Sequence, residues 1–153
     1  MDLILWRHAE AVESPGDGDD LDRALSAKGE RQARRMAEWL DRHLPAGTKV
    51  LASPARRCQQ TAQALNGKFK TVPALAPDGT VDALLAAVRW PDARDPVLVV
   101  GHQPTLGLTA AYLMAGVTMP WSVRKAGVWW LRSRQRGGER EVVLVTVRGP
   151  EQV

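Results

Sequence analysis

Short apolar runs recur along the chain. Continuous runs of this length are typical of strands that are buried on both faces of a sheet covered by helices. The predicted strands are residues 3–6, 49–52, 97–100 and 142–145, of which the second is the least apolar. A further run at 128–131 precedes Gly137-Gly138, a dipeptide that is typical of hairpin turns, so we expect it to pair with the last strand.

Between these runs, apolar residues recur with the spacing of amphipathic helices. A first helix is predicted around residues 33–40, where apolar side chains return every three or four positions. Ser26 is its expected N-cap, and Pro45 lies beyond its end. A second helix is predicted from Ser53-Pro54 to residue 65, because serine caps helices and proline is favoured in their first turn.

Two more helical patterns complete the order of elements. One covers residues 81–88, and the other opens at Pro104 and ends at Gly116. Strands that alternate with helices indicate an α/β fold, here a three-layer α/β/α sandwich around a central sheet. The C-terminal hairpin makes that sheet mixed, although mostly parallel. Because 153 residues suit one domain, residues 1–153 are expected to form a single domain.

Charge and composition narrow the function classes. Lysine and arginine number 21 against 17 aspartate and glutamate, and the resulting net charge of +4 favours anionic ligands only weakly. Arg31, Arg34 and Arg35 are expected to form the exposed face of a helix, so a nucleic-acid partner is not predicted. The segment from Ser14 to residue 22 is acidic and contains turn residues, which predicts an exposed loop.

The cysteine count and the first residues bear on the compartment. Cys58 is the single cysteine, which excludes an internal disulfide and fits a reducing compartment. The chain begins without the basic and apolar regions of a secretory leader. No apolar run approaches the ~20 residues that span a bilayer. A cytoplasmic protein without a membrane partner is therefore expected, with a monomer as the default state.

Three of the predicted strands run into residues that carry chemistry. The first ends in Arg7-His8, the second is followed by Arg56 and Arg57, and the third is followed by His102. Ligands of open α/β sheets bind beyond the carboxyl ends of the strands. Two histidines and at least two arginines are therefore expected at one edge of the sheet. Only one of Arg56 and Arg57 can easily point to that edge, because they are neighbours on a helix.

This combination of side chains suits a phosphoryl group. Arginine binds phosphate oxygens through two N–H groups at once, and a neutral imidazole can act as the nucleophile. Phosphoryl transfer depends mainly on positioning and on neutralising charge.

Several other catalytic patterns are absent from the sequence. No glycine-rich nucleotide loop with lysine, Gly-x-Ser-x-Gly elbow or Cys-x-x-Cys pair is present. Cys58 lacks the arginine six residues later that cysteine-dependent phosphatases use, so a core position is expected for it. Three dispersed histidines do not favour a zinc site. Neither a metal nor a cofactor is predicted.

At these residues the chain resembles the histidine phosphatase superfamily, also called phosphoglycerate mutase-like. Residues 5–9 resemble its Arg-His-Gly signature, and residues 53–61 resemble its Ser-Pro-x-x-Arg-x-x-Gln-Thr segment. Residues 99–104 resemble the segment that carries its second histidine, and residues 22–29 resemble its Leu-Thr/Ser-x-x-Gly stretch. The order and spacing match from about residue 2 to residue 116. The compact length is most similar to the SixA-like branch, the phosphohistidine phosphatases.

The resemblance implies a metal-independent phosphatase that works through a phosphohistidine intermediate. His8 would be the nucleophile. Arg7 and Arg57 would hold the phosphate oxygens, since the family spacing selects Arg57. His102 would bind the phosphoryl group and donate a hydrogen bond to it in the transition state. Arg23 would complete the substrate pocket, and water would then hydrolyse phospho-His8.

Two departures from the family pattern bear on the substrate. Ala9 stands where the family has glycine, which adds a methyl group beside the nucleophile. Larger members use a glutamate after the third strand as general acid, and residues 72–79 contain none. Asp78 or Asp82 could substitute, although exposed positions suit both equally well. A phosphoramidate needs less acid assistance, so the missing glutamate favours phosphohistidine, or another good leaving group, over a sugar phosphate. The chain also lacks the long insertions that could cover the site, so a phosphohistidine on a signalling or phosphotransfer protein is the predicted substrate.

Three alternatives stay open at this point. A small-molecule phosphomonoesterase of the same superfamily would act on a phosphorylated metabolite. A non-catalytic phosphate-binding module would keep the arginines without needing His8 for turnover. A basic nucleic-acid binder would show salt-sensitive binding, and the sequence contains no motif for one.

Overall fold

A six-stranded mixed sheet forms the centre of the structure, a computed structural model that describes residues 1–13 and 18–153. The strands are β1 (Asp2–Arg7), β2 (Lys49–Ala52), β3 (Lys70–Thr71), β4 (Val97–Gly101), β5 (Val128–Arg136) and β6 (Glu139–Arg148). They lie in the order β3-β2-β4-β1-β5-β6. The first four in that order run parallel to one another, β5 is antiparallel to β1, and β6 is antiparallel to β5. The predicted mostly parallel mixed sheet is therefore confirmed.

β1 and β4 form the buried centre of this sheet. All of β4 and the first five residues of β1 are buried, in agreement with the continuous apolar runs in the sequence. The two strands run parallel in a register that pairs Leu3 with Val97 and Arg7 with Gly101. Their carboxyl ends therefore lie side by side.

Two helices cover each face of the sheet, which confirms the three-layer sandwich. Alternate β1 side chains separate the two cores: Ile4 and Trp6 belong to one, and Leu3 and Leu5 belong to the other. The first core contains residues of α1 and α2, and the second contains residues of α3 and α4. Burying each large apolar side chain stabilises the fold by ~1.5–3 kcal/mol. The helices are α1 (Ala27–His43), α2 (Arg56–Gln63), α3 (Val81–Ala87) and α4 (Thr105–Ala115).

The N-terminus of α1 is fixed against the segment that follows β1. Ser26 is the N-cap, as predicted, and its hydroxyl accepts a hydrogen bond from the Gly29 backbone N–H at 3.0 Å. A Cβ atom on Gly29 would overlap the Glu10 carbonyl oxygen. The helix therefore approaches the backbone next to Arg7-His8 at a distance that only glycine permits.

α2 differs from its predicted start. The helix begins at Arg56, not at Ser53-Pro54, and its N-cap residue Ala55 makes no side-chain capping bond. Ser53 is instead fully buried, and its hydroxyl accepts a hydrogen bond from the Ala55 N–H at 3.1 Å. The serine that indicated a helix cap thus lies in the interior, where it contacts His102.

The last strand corrects a second expectation. The run at 142–145 was predicted to be buried on both faces, but β6 is the edge of the sheet, with Leu144 and Val145 at 42% and 41% exposure. The predicted hairpin itself is confirmed. Gly137 and Gly138 form its turn with φ of +61° and +84°, which glycine adopts without a Cβ penalty.

The acidic loop is only partly described. Residues 14–17 of the predicted loop lie outside the described residues. Residues 18–22 are exposed, as predicted, and Asp20–Asp22 form a single 3-10 turn. Among the described residues, no helix combines the length and apolar content needed to cross a membrane.

Candidate active site

The carboxyl ends of three parallel strands bring the predicted site residues together. His8 follows β1, Ser53 follows β2 and His102 follows β4. The ladder continues past the strand ends, because the His8 N–H donates to the Gly101 carbonyl at 3.1 Å and the Ser53 N–H donates to the Val100 carbonyl at 3.0 Å. As a result, the centroids of the two imidazole rings lie only 5.3 Å apart.

His8 is buried and held in one tautomer. Its Nδ1 lies 2.8 Å from the Ala9 carbonyl oxygen, which can only accept a hydrogen bond. Nδ1 therefore carries the proton, and Nε2 keeps a free lone pair. The pKa of His8 is lowered to about 4, mainly by burial, and Arg57, Arg7 and Arg23 contribute to the lowering against the opposing effect of the Ala9 bond. The ring is consequently neutral at pH 7, as a nucleophilic imidazole must be.

Arg7 and Arg57 bring two guanidinium groups into the same buried space. Arg7 donates from NH1 to the Val123 carbonyl at 2.9 Å, and Arg57 is only 4% exposed. The Nε atoms of both arginines are buried, and neither has a hydrogen-bond partner among the described residues. An unpaired buried donor costs ~1–3 kcal/mol, and more when it is charged. An oxyanion with several acceptor oxygens would satisfy both donors.

His102 is held from two sides. Its Nε2 lies 2.8 Å from the Ser53 hydroxyl, and its Nδ1 lies 3.4 Å from NH2 of Arg57. The pKa of His102 is lowered to about 3, mainly by burial, and the nearby His8 and Arg57 contribute to the lowering. The Ser53 hydroxyl can either donate or accept a hydrogen bond. Because NH2 of Arg57 can only donate, Nδ1 accepts that bond in this structure, and Nε2 carries the proton and donates to Ser53. If a bound anion took the Arg57 donor, the Ser53 hydroxyl could donate to Nε2 and the proton would move to Nδ1.

The two other arginines considered in the sequence, Arg23 and Arg56, differ in their distance from the site. Arg23 donates from Nε to the Val12 carbonyl at 2.8 Å and contributes to the lowered pKa of His8. Arg56 instead has a side chain 51% exposed and lies 3.7 Å from Asp22. The structure thus places Arg57 inside the site and Arg56 at the surface. The roles of Arg7, His8, Arg23, Arg57 and His102 stay predictions.

Two residues of the site were missed by the sequence analysis. Ser53 was interpreted as a helix cap, and Asp20 as part of an exposed loop. Asp20 accepts hydrogen bonds from Arg57 through its carbonyl oxygen at 2.8 Å and its carboxylate at 3.2 Å, and from Arg23 at 3.1 Å. The sequence signal nearest to Asp20 was Arg23, which the family resemblance assigned to the substrate pocket. By contrast, no side-chain hydrogen bond or ion pair of the described chain joins the exposed Asp78 or Asp82 to the site.

The other reactive side chains have structural surroundings. Cys58 is fully buried, and burial raises the pKa of its thiol to about 12, so it does not form the thiolate that a nucleophile needs. His43 lies near the end of α1, bonds to the Trp39 carbonyl at 2.7 Å and stacks on the Trp39 ring. Within residues 1–13 and 18–153, no three His, Cys, Asp or Glu side chains are grouped to hold a metal ion.

The sequence is similar to proteins of one known family. Residues 3–78 match the model of the histidine phosphatase superfamily (branch 1). The chain is 36% identical over 158 residues to an uncharacterized protein of Picosynechococcus sp., with 95% of this chain and 96% of the relative covered. It is 30% identical over 128 residues to the phosphohistidine phosphatase SixA of Escherichia coli, with 78% of each chain covered.

A solved structure extends the likeness to the fold. The chain resembles the protein histidine phosphatase SixA complexed with tungstate, with a TM-score of 0.77, 26% identity and coverage of 98% of this chain and 97% of the other. Sequence motifs, sheet topology and full-length similarity therefore lead to one assignment. The chain belongs to the histidine phosphatase superfamily, in its SixA-like branch.

Proposed function

We propose that this protein hydrolyses phosphohistidine by transferring the phosphoryl group first to Nε2 of His8 and then to water. The substrate would be a phosphohistidine side chain on a signalling or phosphotransfer protein in the cytoplasm. The observation that carries the proposal is a pair of buried guanidinium Nε–H groups, those of Arg7 and Arg57, which have no partner in the described part of the chain and accompany a neutral His8.

The first step needs a nucleophile, an anion site and neutralisation of charge. The lone pair of His8 Nε2 attacks phosphorus, a new P–N bond forms, and the P–N bond to the substrate imidazole breaks. Arg7 and Arg57 bind the phosphoryl oxygens through their free Nε–H donors. His102 donates from Nδ1 to an oxygen once the Ser53 hydroxyl donates to its Nε2. These contacts stabilise the charge on the equatorial oxygens in the transition state.

The second step regenerates the enzyme. Water attacks phosphorus of phospho-His8, the P–N bond to Nε2 breaks, and phosphate leaves. Nδ1 keeps its proton and donates it in a hydrogen bond to the Ala9 carbonyl throughout. His8 is therefore released from phosphorus as a neutral imidazole and not as an anion. The backbone bond thus assists both steps, because it holds the one tautomer that can attack and depart.

Three observations support phosphohistidine as the substrate class. Relatives of the SixA-like branch are named as phosphohistidine phosphatases, and one was solved with tungstate, a tetrahedral oxyanion that resembles phosphate. The segment at 72–79 supplies no glutamate, and Asp78 and Asp82 have no described contact to the site. A leaving group that needs little acid assistance suits such a site.

Trapping the covalent intermediate tests the proposal. The wild-type protein is mixed with a radiolabelled phosphohistidine protein and quenched in alkali, and the labelled peptide is mapped. We expect acid-labile, alkali-stable label on His8, none in His8→Ala, and wild-type labelling in the control His43→Ala, whose imidazole lies outside the site. Label at another residue, or turnover by His8→Ala, would refute the mechanism. Faster turnover of a sugar phosphate would refute only the substrate class.

A further inference from the structure

Asp20 brings a negative charge into contact with the phosphate-binding arginines. Its Oδ1 lies 3.1 Å from Arg23 and its Oδ2 lies 3.2 Å from Arg57. Its carbonyl oxygen accepts a further bond from Arg57 at 2.8 Å. Among the described residues, no other carboxylate forms an ion pair with Arg7, Arg23 or Arg57. Asp20 differs in charge from the site side chains Arg7, His8, Arg23, Arg57 and His102, which are cationic or neutral.

Asp20 lies at the mouth of the site, whereas the phosphoryl position lies deeper. The side chain of Arg57 is 5% exposed and that of Asp20 is 56% exposed. Arg57 therefore connects a buried inner edge, where its Nε–H has no partner among residues 1–13 and 18–153, with an outer edge that contacts Asp20. A leaving group that belongs to another protein must extend from the phosphoryl group toward solvent. The exposed Asp20 carboxylate, which is held on Arg57, is in a position to contact such a group.

This charge arrangement distinguishes two classes of phosphoryl donor. The hydrogen bond from Arg23 is the main cause that keeps the pKa of Asp20 below its usual value, and Arg57 adds to it, so the carboxylate is ionised at neutral pH. A sugar or alkyl phosphate offers this carboxylate no positive charge. A phosphohistidine whose second ring nitrogen is protonated offers it a cationic N–H donor next to the phosphoryl group.

We propose that Asp20 selects phosphohistidine by accepting a hydrogen bond from the protonated second nitrogen of the substrate ring. The inference rests on the proposed function. When the P–N bond of the substrate breaks, its electron pair returns to the ring nitrogen while the second nitrogen keeps its proton. The leaving group is then a neutral imidazole. Asp20 stabilises the cationic ring before cleavage, as the carboxylate of a Ser-His-Asp triad stabilises an imidazolium.

The test compares two substrates in matched variants. kcat/KM is measured for phosphoimidazole, which carries the same ring, and for p-nitrophenyl phosphate, which has no cationic group. Asp20→Asn removes the charge and keeps the shape. The control Asp22→Asn removes a carboxylate from the same turn that lies 3.7 Å from Arg56 and does not contact the site. The far-ultraviolet spectrum and melting temperature establish that each variant is folded.

We expect the ratio of the two kcat/KM values, phosphoimidazole to p-nitrophenyl phosphate, to fall about tenfold or more in Asp20→Asn, since a charge-assisted hydrogen bond is lost. The ratio should keep its wild-type value in Asp22→Asn. An equal loss on both substrates would overturn the inference and assign Asp20 to holding the arginines. An equal gain would also overturn it, because Asp20 would then compete with the phosphoryl group. Absence of phosphoimidazole turnover in the wild type would instead refute the proposed function itself.

Discussion

Replacing Arg57 with lysine tests whether the shape of the guanidinium group, and not only its charge, binds the phosphoryl group. Arg57 is 4% exposed, and it contacts Asp20 and His102 while its Nε–H is left for an anion. A lysine ammonium keeps the charge but concentrates its donors at one point. It therefore loses the donor from the position of Nε.

The lost Nε contact alone sets the smallest reduction that we expect. A hydrogen bond to a charged group contributes ~1.5–3 kcal/mol, which corresponds to a reduction in kcat/KM of roughly 10- to 150-fold. Arg56→Lys is the matched control, because Arg56 is adjacent in sequence, has a side chain 51% exposed and lies 3.7 Å from Asp22. A surface ion pair of this kind contributes less than about 1 kcal/mol, and Arg56 does not contact the site.

The assay is steady-state hydrolysis of p-nitrophenyl phosphate and of a phosphohistidine protein, with melting temperatures to verify folding. If Arg57→Lys lost less than about threefold in kcat/KM, a gap of ~0.7 kcal/mol, the guanidinium shape would not matter. If Arg56→Lys lost as much as Arg57→Lys, the assignment of Arg57 over Arg56 would be refuted.

Three further predictions concern stability and reactivity. The neutral rings of His8 and His102 have pKa values of about 4 and about 3, below the ordinary 6.5, so the unfolded chain binds protons first. The stability they contribute is complete above pH 6.5 and falls by up to ~1.4 kcal/mol per pH unit for each ring as the solution is acidified. Urea denaturation between pH 7 and pH 5 should show this decrease in the free energy of unfolding with falling pH, and the decrease should be smaller in His8→Asn. An identical pH dependence in the wild type and the variant would contradict the prediction. Gly29→Ala should lower the free energy of unfolding by ~1–3 kcal/mol, because the added Cβ overpacks against Glu10. Gly67→Ala is the control, since a Cβ at Gly67 meets nothing within 4 Å. Equal melting temperatures for the two variants would contradict this prediction. Burial raises the pKa of the Cys58 thiol to about 12, so Cys58 should react with iodoacetamide only after denaturation. Rapid alkylation of the native protein at neutral pH would disprove this.

The sequence predicts the sheet centre well because burial there is complete. Strands β1 and β4 are apolar on both faces, and residues with that pattern have few alternatives to a central strand. The stripe that contains Met36 and Leu40 predicts α1 for the same reason, since a periodic apolar face must be covered. The hairpin turn was predictable because it requires positive φ at two successive residues, and Gly137-Gly138 adopts positive φ at both without strain.

The errors occur where local signals do not determine the environment. β3 has only two residues, both exposed, so it carries no apolar pattern. The β6 run resembles a buried strand although nothing in the described chain pairs with its outer edge. Ser53 suits a helix cap in sequence, and only the three-dimensional neighbourhood of His102 shows its other contact.

The site followed the same division. His8 and His102 were predictable because each comes directly after a strand with a recognisable motif, and parallel strands place such positions at one edge. Asp20 was not predictable, because its contacts with Arg57 cross 37 positions of the chain and start from a loop without periodicity. Long-range contacts of loop residues depend on the assembled fold.

The assembly of the two imidazoles on adjacent parallel strands also links enzymatic turnover to cooperative folding. The two rings are 94 positions apart in the sequence, and the register of β1 on β4 brings them together. No local segment can form the site by itself, and a nascent chain gains it only after β4 has been synthesised and paired. Recovery of activity during refolding should therefore report completion of the sheet, not the formation of individual helices.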